Sequence, residues 1–100
     1  MSKPIQFITV KQQRTIDSDA LAQIVADARK QDASLCIAAA ELQRRYMAGK
    51  ALLGLSQDQQ IVFFGCIHEV GKKPTLTTTW TAQDFMGQTV LQQANLWLQS

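Results

Sequence analysis

Charge is scarce in this sequence. Only 18% of the residues are charged, and ten Lys and Arg stand against eight Asp and Glu. A net charge of +2 is too small to point to nucleic acid by itself. The basic pairs Arg44-Arg45 and Lys72-Lys73 are isolated and read as solvated surface, so no nucleic-acid partner is expected. Cysteine is scarce too: Cys36 and Cys66, without clustered spacing, make no disulfide framework. The single histidine, His68, leaves the chain short of a four-ligand zinc site unless chains share one. No stretch approaches the ~20 apolar residues of a membrane span, and the opening MSKPIQF lacks the basic and apolar parts of a secretory signal. The expectation is a reduced, cytoplasmic protein with no membrane partner.

What is present is an ordinary apolar fraction, 46%, with Gln and Thr filling the polar positions. That balance excludes a disordered chain. No repeat or linker divides it, so residues 1–100 read as one domain. The segment Ile5–Val10 is β-prone, with apolar residues on both faces. A helix follows: Asp17 or Ser18 suits its cap, Asp19 its positive end, and Arg29 and Lys30 its last turn. Leu21, Ile24, Val25 and Ala28 share one face at helical spacing. The alanine-rich segment after it predicts a second helix, capped by Asp32 or Ser34 and stopped by Gly49. Its buried stripe would be Leu35, Ala38, Ala39, Leu42 and Tyr46.

The period then changes. Two β-prone runs flank the polar turn SQDQQ, a hairpin pattern. The second run, Ile61 to Val70, is apolar on both faces, as in a central strand covered by helices. Ile61, Phe63 and Ile67 fall on one side and Val62, Phe64, Cys66 and Val70 on the other. GKKP makes another turn, and the β-branched TLTTTW another strand. The last helix, expected to start near Asp84 or Phe85, carries Val90, Leu91, Ala94, Trp97 and Leu98 on one face. The order β-α-α-β-β-β-α makes an α+β domain, with a mostly antiparallel sheet packed by helices.

Two places carry chemistry. A helix beginning after Trp80 points free amides into the preceding loop, and such an end favours phosphate. Gly87 would let a ligand approach the backbone closely, whereas Asp84 there would repel an anion and is fully explained as a helix cap. Cys66 and His68 project from one face of their strand about 6–7 Å apart. A nucleophile pair also wants an orienting group and an oxyanion site, and neither is identifiable, so no catalytic residue is assigned. Trp80, Trp97, Phe85 and Met86 read either as core or as the lining of an apolar cleft.

This element order resembles the N-terminal portion of the GNAT acyltransferase fold, across nearly all of the chain. In that family the fourth strand pairs with the pantetheine arm of acyl-CoA, and the next helix N-terminus holds the pyrophosphate through Q/R-x-x-G-x-G/A. The corresponding segment here is Asp84-Phe85-Met86-Gly87-Gln88-Thr89. Its central glycine matches, while an acid opens it and Thr89 replaces a small residue. The resemblance implies acetyl-CoA as cofactor, held by Thr79, Thr81, Phe85, Met86, Gly87, Gln88 and Thr89, and acyl transfer to an amine. PTLTTTWTA offers no carboxylate base, and Glu69 closes the preceding strand. The family's later strand and helix have no counterpart in this sequence. A noncatalytic module that forms a homodimer through its open sheet edge is therefore the alternative.

Overall fold

The structure is a computed structural model describing residues 4–12, 16–83 and 85–99. Three helices pack on a four-stranded sheet. Strand β1 spans Gln6–Ile8, helix α1 Ser18–Gln31, helix α2 Ala39–Met47, β2 Ala51–Leu55, β3 Ile61–Val70, β4 Lys73–Thr81 and α3 Gly87–Gln99. The strands lie in the order β1-β2-β3-β4, and every neighbouring pair is antiparallel. This is the expected α+β arrangement.

Local chemistry starts and stops α1 as predicted. The Asp17 carboxylate accepts from the Asp19 amide at 3.1 Å, and Leu21, Val25 and Ala28 are buried on one face. Helix α2 differs from its expected span, beginning at Ala39 rather than at Asp32 or Ser34. Asp32 instead closes a local turn, its Oδ1 accepting from the Ser34 amide at 3.0 Å and the Ser34 hydroxyl at 2.6 Å. These bonds lower the Asp32 carboxyl pKa below its ordinary value. Leu35 and Ile37, two positions apart, are both buried. An extended segment turns both to the same side, whereas a helix would not, so their burial overrides the propensity of the alanines. Ala38, expected on the buried stripe, is exposed, and Ala39 is half-buried.

Helix α2 ends as the sequence predicts. Gly49 takes φ +76°, its amide donates to Tyr46 O, and the Lys50 amide donates to Arg45 O. That pair of bonds is the Schellman arrangement, which satisfies carbonyls the helix leaves open. Strand β1 is shorter than expected: Val10 belongs to a 3-10 turn, Val10–Gln12.

The sheet separates two cores. On one face α1 and α2 cover Ile8, Leu53, Phe64, Cys66 and Trp80. On the other, Val90 and Ala94 of α3 meet Phe7, Leu52 and Phe63. Phe7 stands edge-on to Phe63 at 5.9 Å between ring centroids and also meets Trp97 at 6.5 Å. Ile61 joins the core of Phe64 and Cys66, not that of Phe63 as expected. The cause is a register shift: Gly54 pairs with Phe63 but Leu55 with Ile61, which leaves Val62 as an extra residue. An extra residue in a strand flips the alternation beyond it. Strand β3 is buried only from Ile61 to Cys66, since β2 ends opposite Cys66 and the β3–β4 ribbon continues past it. Val70, expected inside, is 64% exposed there.

Candidate functional site

Strand β4 is nine residues long and lies at the edge of the sheet. Its ladder with β3 is interrupted: Phe64 pairs with Trp80 but Cys66 with Thr77, so β4 carries one extra residue. The bulge centres on Thr78, whose φ is +52°. Bulges leave backbone groups unpaired and re-aim side chains. A β-branched residue in left-handed backbone is strained by about 1–2 kcal/mol, and glycine's extra freedom in the unfolded chain offsets roughly half of that. We therefore expect Thr78→Gly to stabilise the protein by about 0.5–1 kcal/mol, read as a raised urea midpoint; a lowered midpoint would show that Thr78 is not strained.

Beyond the bulge, Thr79 and Thr81 turn to the α3 side. A Cβ added at Gly65 would sit 3.1 Å from Thr79 Cγ2, and one added at Gly87 would sit 3.9 Å from both Cβ and Oγ1 of Thr81. Thr81 thus lies against Gly87 where the edge strand meets the start of α3, with Thr79 two residues earlier on the same side, against Gly65. The helix begins at Gly87, later than the predicted Asp84 or Phe85, and Asp84 lies outside the described residues. Its first i-to-i−4 bond runs from the Val90 amide to Met86 O at 2.9 Å. The amides of Gly87, Gln88 and Thr89 precede that bond and have no partner within the helix.

The other expected residues divide. Met86 is 73% exposed. Gln88 is exposed and Thr89 half-buried. Phe85 packs against the core beneath α3 and also lines a neighbouring cavity. Of the four residues left between core and cleft, Trp80 is core and stacks on Phe64 at 5.5 Å. Trp97 is half-buried against Phe7.

The neighbouring cavity, about 600 Å³, opens between α1, the β2–β3 turn, the end of β4 and the loop before α3. Asp27 and Asp58 are among its lining residues, and no Lys, Arg or His is among the described ones. Within its lining, the Trp80 indole N–H donates to Gln31 Oε1 at 3.2 Å. Lys72 and Lys73 lie by the β3–β4 turn, near the opposite end of β4. Among the described residues, an anion at the start of α3 would therefore meet backbone amides and the Thr81 hydroxyl rather than Lys72 or Lys73.

Cys66 and His68 do not form a reactive pair. Cys66 is 2% exposed. Burial pushes its thiol pKa up, against the opposing pull of Arg45. A protonated, buried thiol is inert as a nucleophile. His68 is exposed, and its carbonyl accepts from the Thr75 hydroxyl at 2.9 Å. No group of three or more His, Cys, Asp or Glu residues suited to a metal ion occurs among the described residues. Nor is any helix there long and apolar enough to cross a membrane. The β4 bulge and the cavity were missed by sequence reasoning: the run of threonines has no glycine to mark a bulge, and the cavity joins residues far apart in the chain.

The chain matches no protein-family model, no curated protein and no solved structure.

Proposed function

We propose that this chain binds acyl-CoA, acetyl-CoA being the simplest case, along the outer edge of β4 and the first turn of α3. The observation that supports this reading is the contact of Thr81 with Gly87, where edge strand β4 leads into the first-turn amides of α3. The two amides of a pantetheine arm can pair with strand backbone as an added strand does. The diphosphate can take the amides of Gly87, Gln88 and Thr89, where the helix dipole favours negative charge. Affinity would be modest, because no cation lines the adjoining cavity among the described residues and Asp27 and Asp58 oppose anions.

Binding is the centre of the proposal. Transfer of the acyl group would have the amine nitrogen attack the thioester carbonyl, breaking the C–S bond and forming C–N. The ammonium proton must leave first, and the departing thiolate must gain one. Both steps want a positioned acid–base group, and β4 from Lys73 to Thr81 carries no carboxylate or imidazole. Full GNAT-type acetyltransferase activity would require groups beyond this strand.

Titration calorimetry with acetyl-CoA tests the reading. Gly87 has room for a side chain, its nearest neighbours being 3.9 Å from the added Cβ. Gly87→Trp should therefore fold while covering the amides. Saturable binding by the wild type, weakened at least roughly tenfold in the variant, about 1.4 kcal/mol, is the expected result. Absence of binding at millimolar acetyl-CoA, or binding indifferent to Gly87→Trp, would overturn it.

A second reading draws on the same edge. A long open strand pairs readily with another copy, and among the described residues β4 carries Lys73, Pro74 and its bulge as protection. Self-association through β4 would make the chain a noncatalytic dimerisation module. Light scattering on the calorimetry sample separates the two: a dimer that acetyl-CoA leaves intact favours the module, and a monomer removes it.

A further inference from the structure

The acyl-CoA reading makes no use of the cavity between α1 and the β2–β3 turn. Its volume, about 600 Å³, falls within the roughly 300–1,000 Å³ common to small-molecule sites. The walls come from separate elements: Asp27 and Gln31 of α1, Asp58 and Gln60 of the turn, Trp80 of β4, and Phe85 of the loop before α3. Two of these are carboxylates contributed from two sides, and the described lining holds no compensating cation. Asp27 is half-buried and receives one hydrogen bond, from Gln23 Nε2 at 3.2 Å. Asp58 is exposed in the turn. Trp80 is held in position by its bond to Gln31 and by the stack on Phe64.

Each class of ligand meets this lining differently. An anion is repelled by both carboxylates. A neutral molecule gains the apolar walls of Ile24, Ile61, Trp80 and Phe85 and any hydrogen bonds, but no charge attraction. A cation with an apolar body gains those walls, both carboxylates, the glutamine carbonyls, and the attraction between positive charge and aromatic rings. We propose that this cavity binds a small organic ammonium ion bearing an apolar or aromatic group. The proposal stands apart from the acyl-CoA reading, and its test contains no CoA.

The Trp80 indole N–H provides a site-specific probe, because it points to Gln31 in the cavity wall. The protein is labelled with nitrogen-15, and a Trp80→Phe variant identifies the cross-peak against that of Trp97. Phenethylammonium is then titrated at fixed ionic strength, followed by its neutral and anionic counterparts, 2-phenylethanol and phenylacetate. The Trp80 peak should shift saturably with the ammonium, roughly tenfold more weakly with the alcohol, and not at all with phenylacetate. Asp27→Asn combined with Asp58→Asn should remove the preference of the cation over the alcohol while the remaining spectrum is preserved. Should that pair unfold the protein, Asp58→Asn alone, in the exposed turn, should narrow the preference several-fold. Equal binding of cation and alcohol, no saturation at tens of millimolar, or a preference unchanged in the aspartate variants would each overturn the assignment.

Discussion

Phe64→Ala should lower the free energy of unfolding by about 3–5 kcal/mol. Phe64 is wholly buried in the middle of β3, within the core covered by α1 and α2. Its ring stacks on Trp80 with 27° between planes, and Trp80 is in turn tied to α1 through Gln31. Truncation removes the ring's transfer energy and leaves a cavity, and Trp80 cannot follow without breaking its bond to Gln31. For a chain of this size the loss corresponds to a fall in melting temperature of roughly 15–30 °C. Urea unfolding and calorimetry measure it directly. A loss below about 1.5 kcal/mol, the range of a tolerated volume-conserving swap, would mean that the Phe64–Trp80 contact does not organise this core. Because Trp80 lines the cavity, the same variant should also abolish the ammonium-induced indole shift.

The second large effect comes from a methyl group. In Gly54→Ala the new Cβ would sit 2.9 Å from Ile5 Cγ2 and 3.0 Å from Phe63 Cβ. Ile5 can rotate away, but Phe63 Cβ is bound to the backbone of the neighbouring strand and can move only with it. Overpacking of this kind costs about 1–3 kcal/mol. Gly87→Ala is the contrast, since its nearest neighbours lie at 3.9 Å and its φ is not in the left-handed region. There, alanine should be neutral or stabilise by up to about 1 kcal/mol, chiefly by restricting the unfolded chain. Urea midpoints of the two variants should move in opposite directions, or only that of Gly54→Ala should fall. A neutral Gly54→Ala would show that β2 and β3 can separate locally at no cost.

Much of the candidate site was legible by position and less of it by geometry. Thr79, Thr81 and Gly87 could be singled out because a threonine strand leading into a helix is a local pattern. The contact of Thr81 with Gly87 depends on how α3 folds back over β4, which no local pattern encodes. Phe85 and Met86 carry similar hydrophobicity in the sequence, yet one turns toward the core and the other lies 73% exposed. Both precede α3, so the path of the loop after β4 decides between them. The cavity could not be anticipated, since Asp27, Asp58 and Trp80 meet only once α1 has docked beside the β2–β3 turn.

By itself the sequence determined the kinds and order of the elements. Apolar spacing separates the helices from the strands, Asp17 opens α1, and Gly49 closes α2, all through interactions spanning a few residues. The tertiary structure decided where α2 begins, because burial of Leu35 and Ile37 against other elements outweighs the helix propensity of nearby alanines. It also decided both bulges, which place Ile61 with Phe64 and bend β4 at Thr78. Register between strands is set by the fit of two faces against separate helical layers, and that fit exists only after the layers have come together.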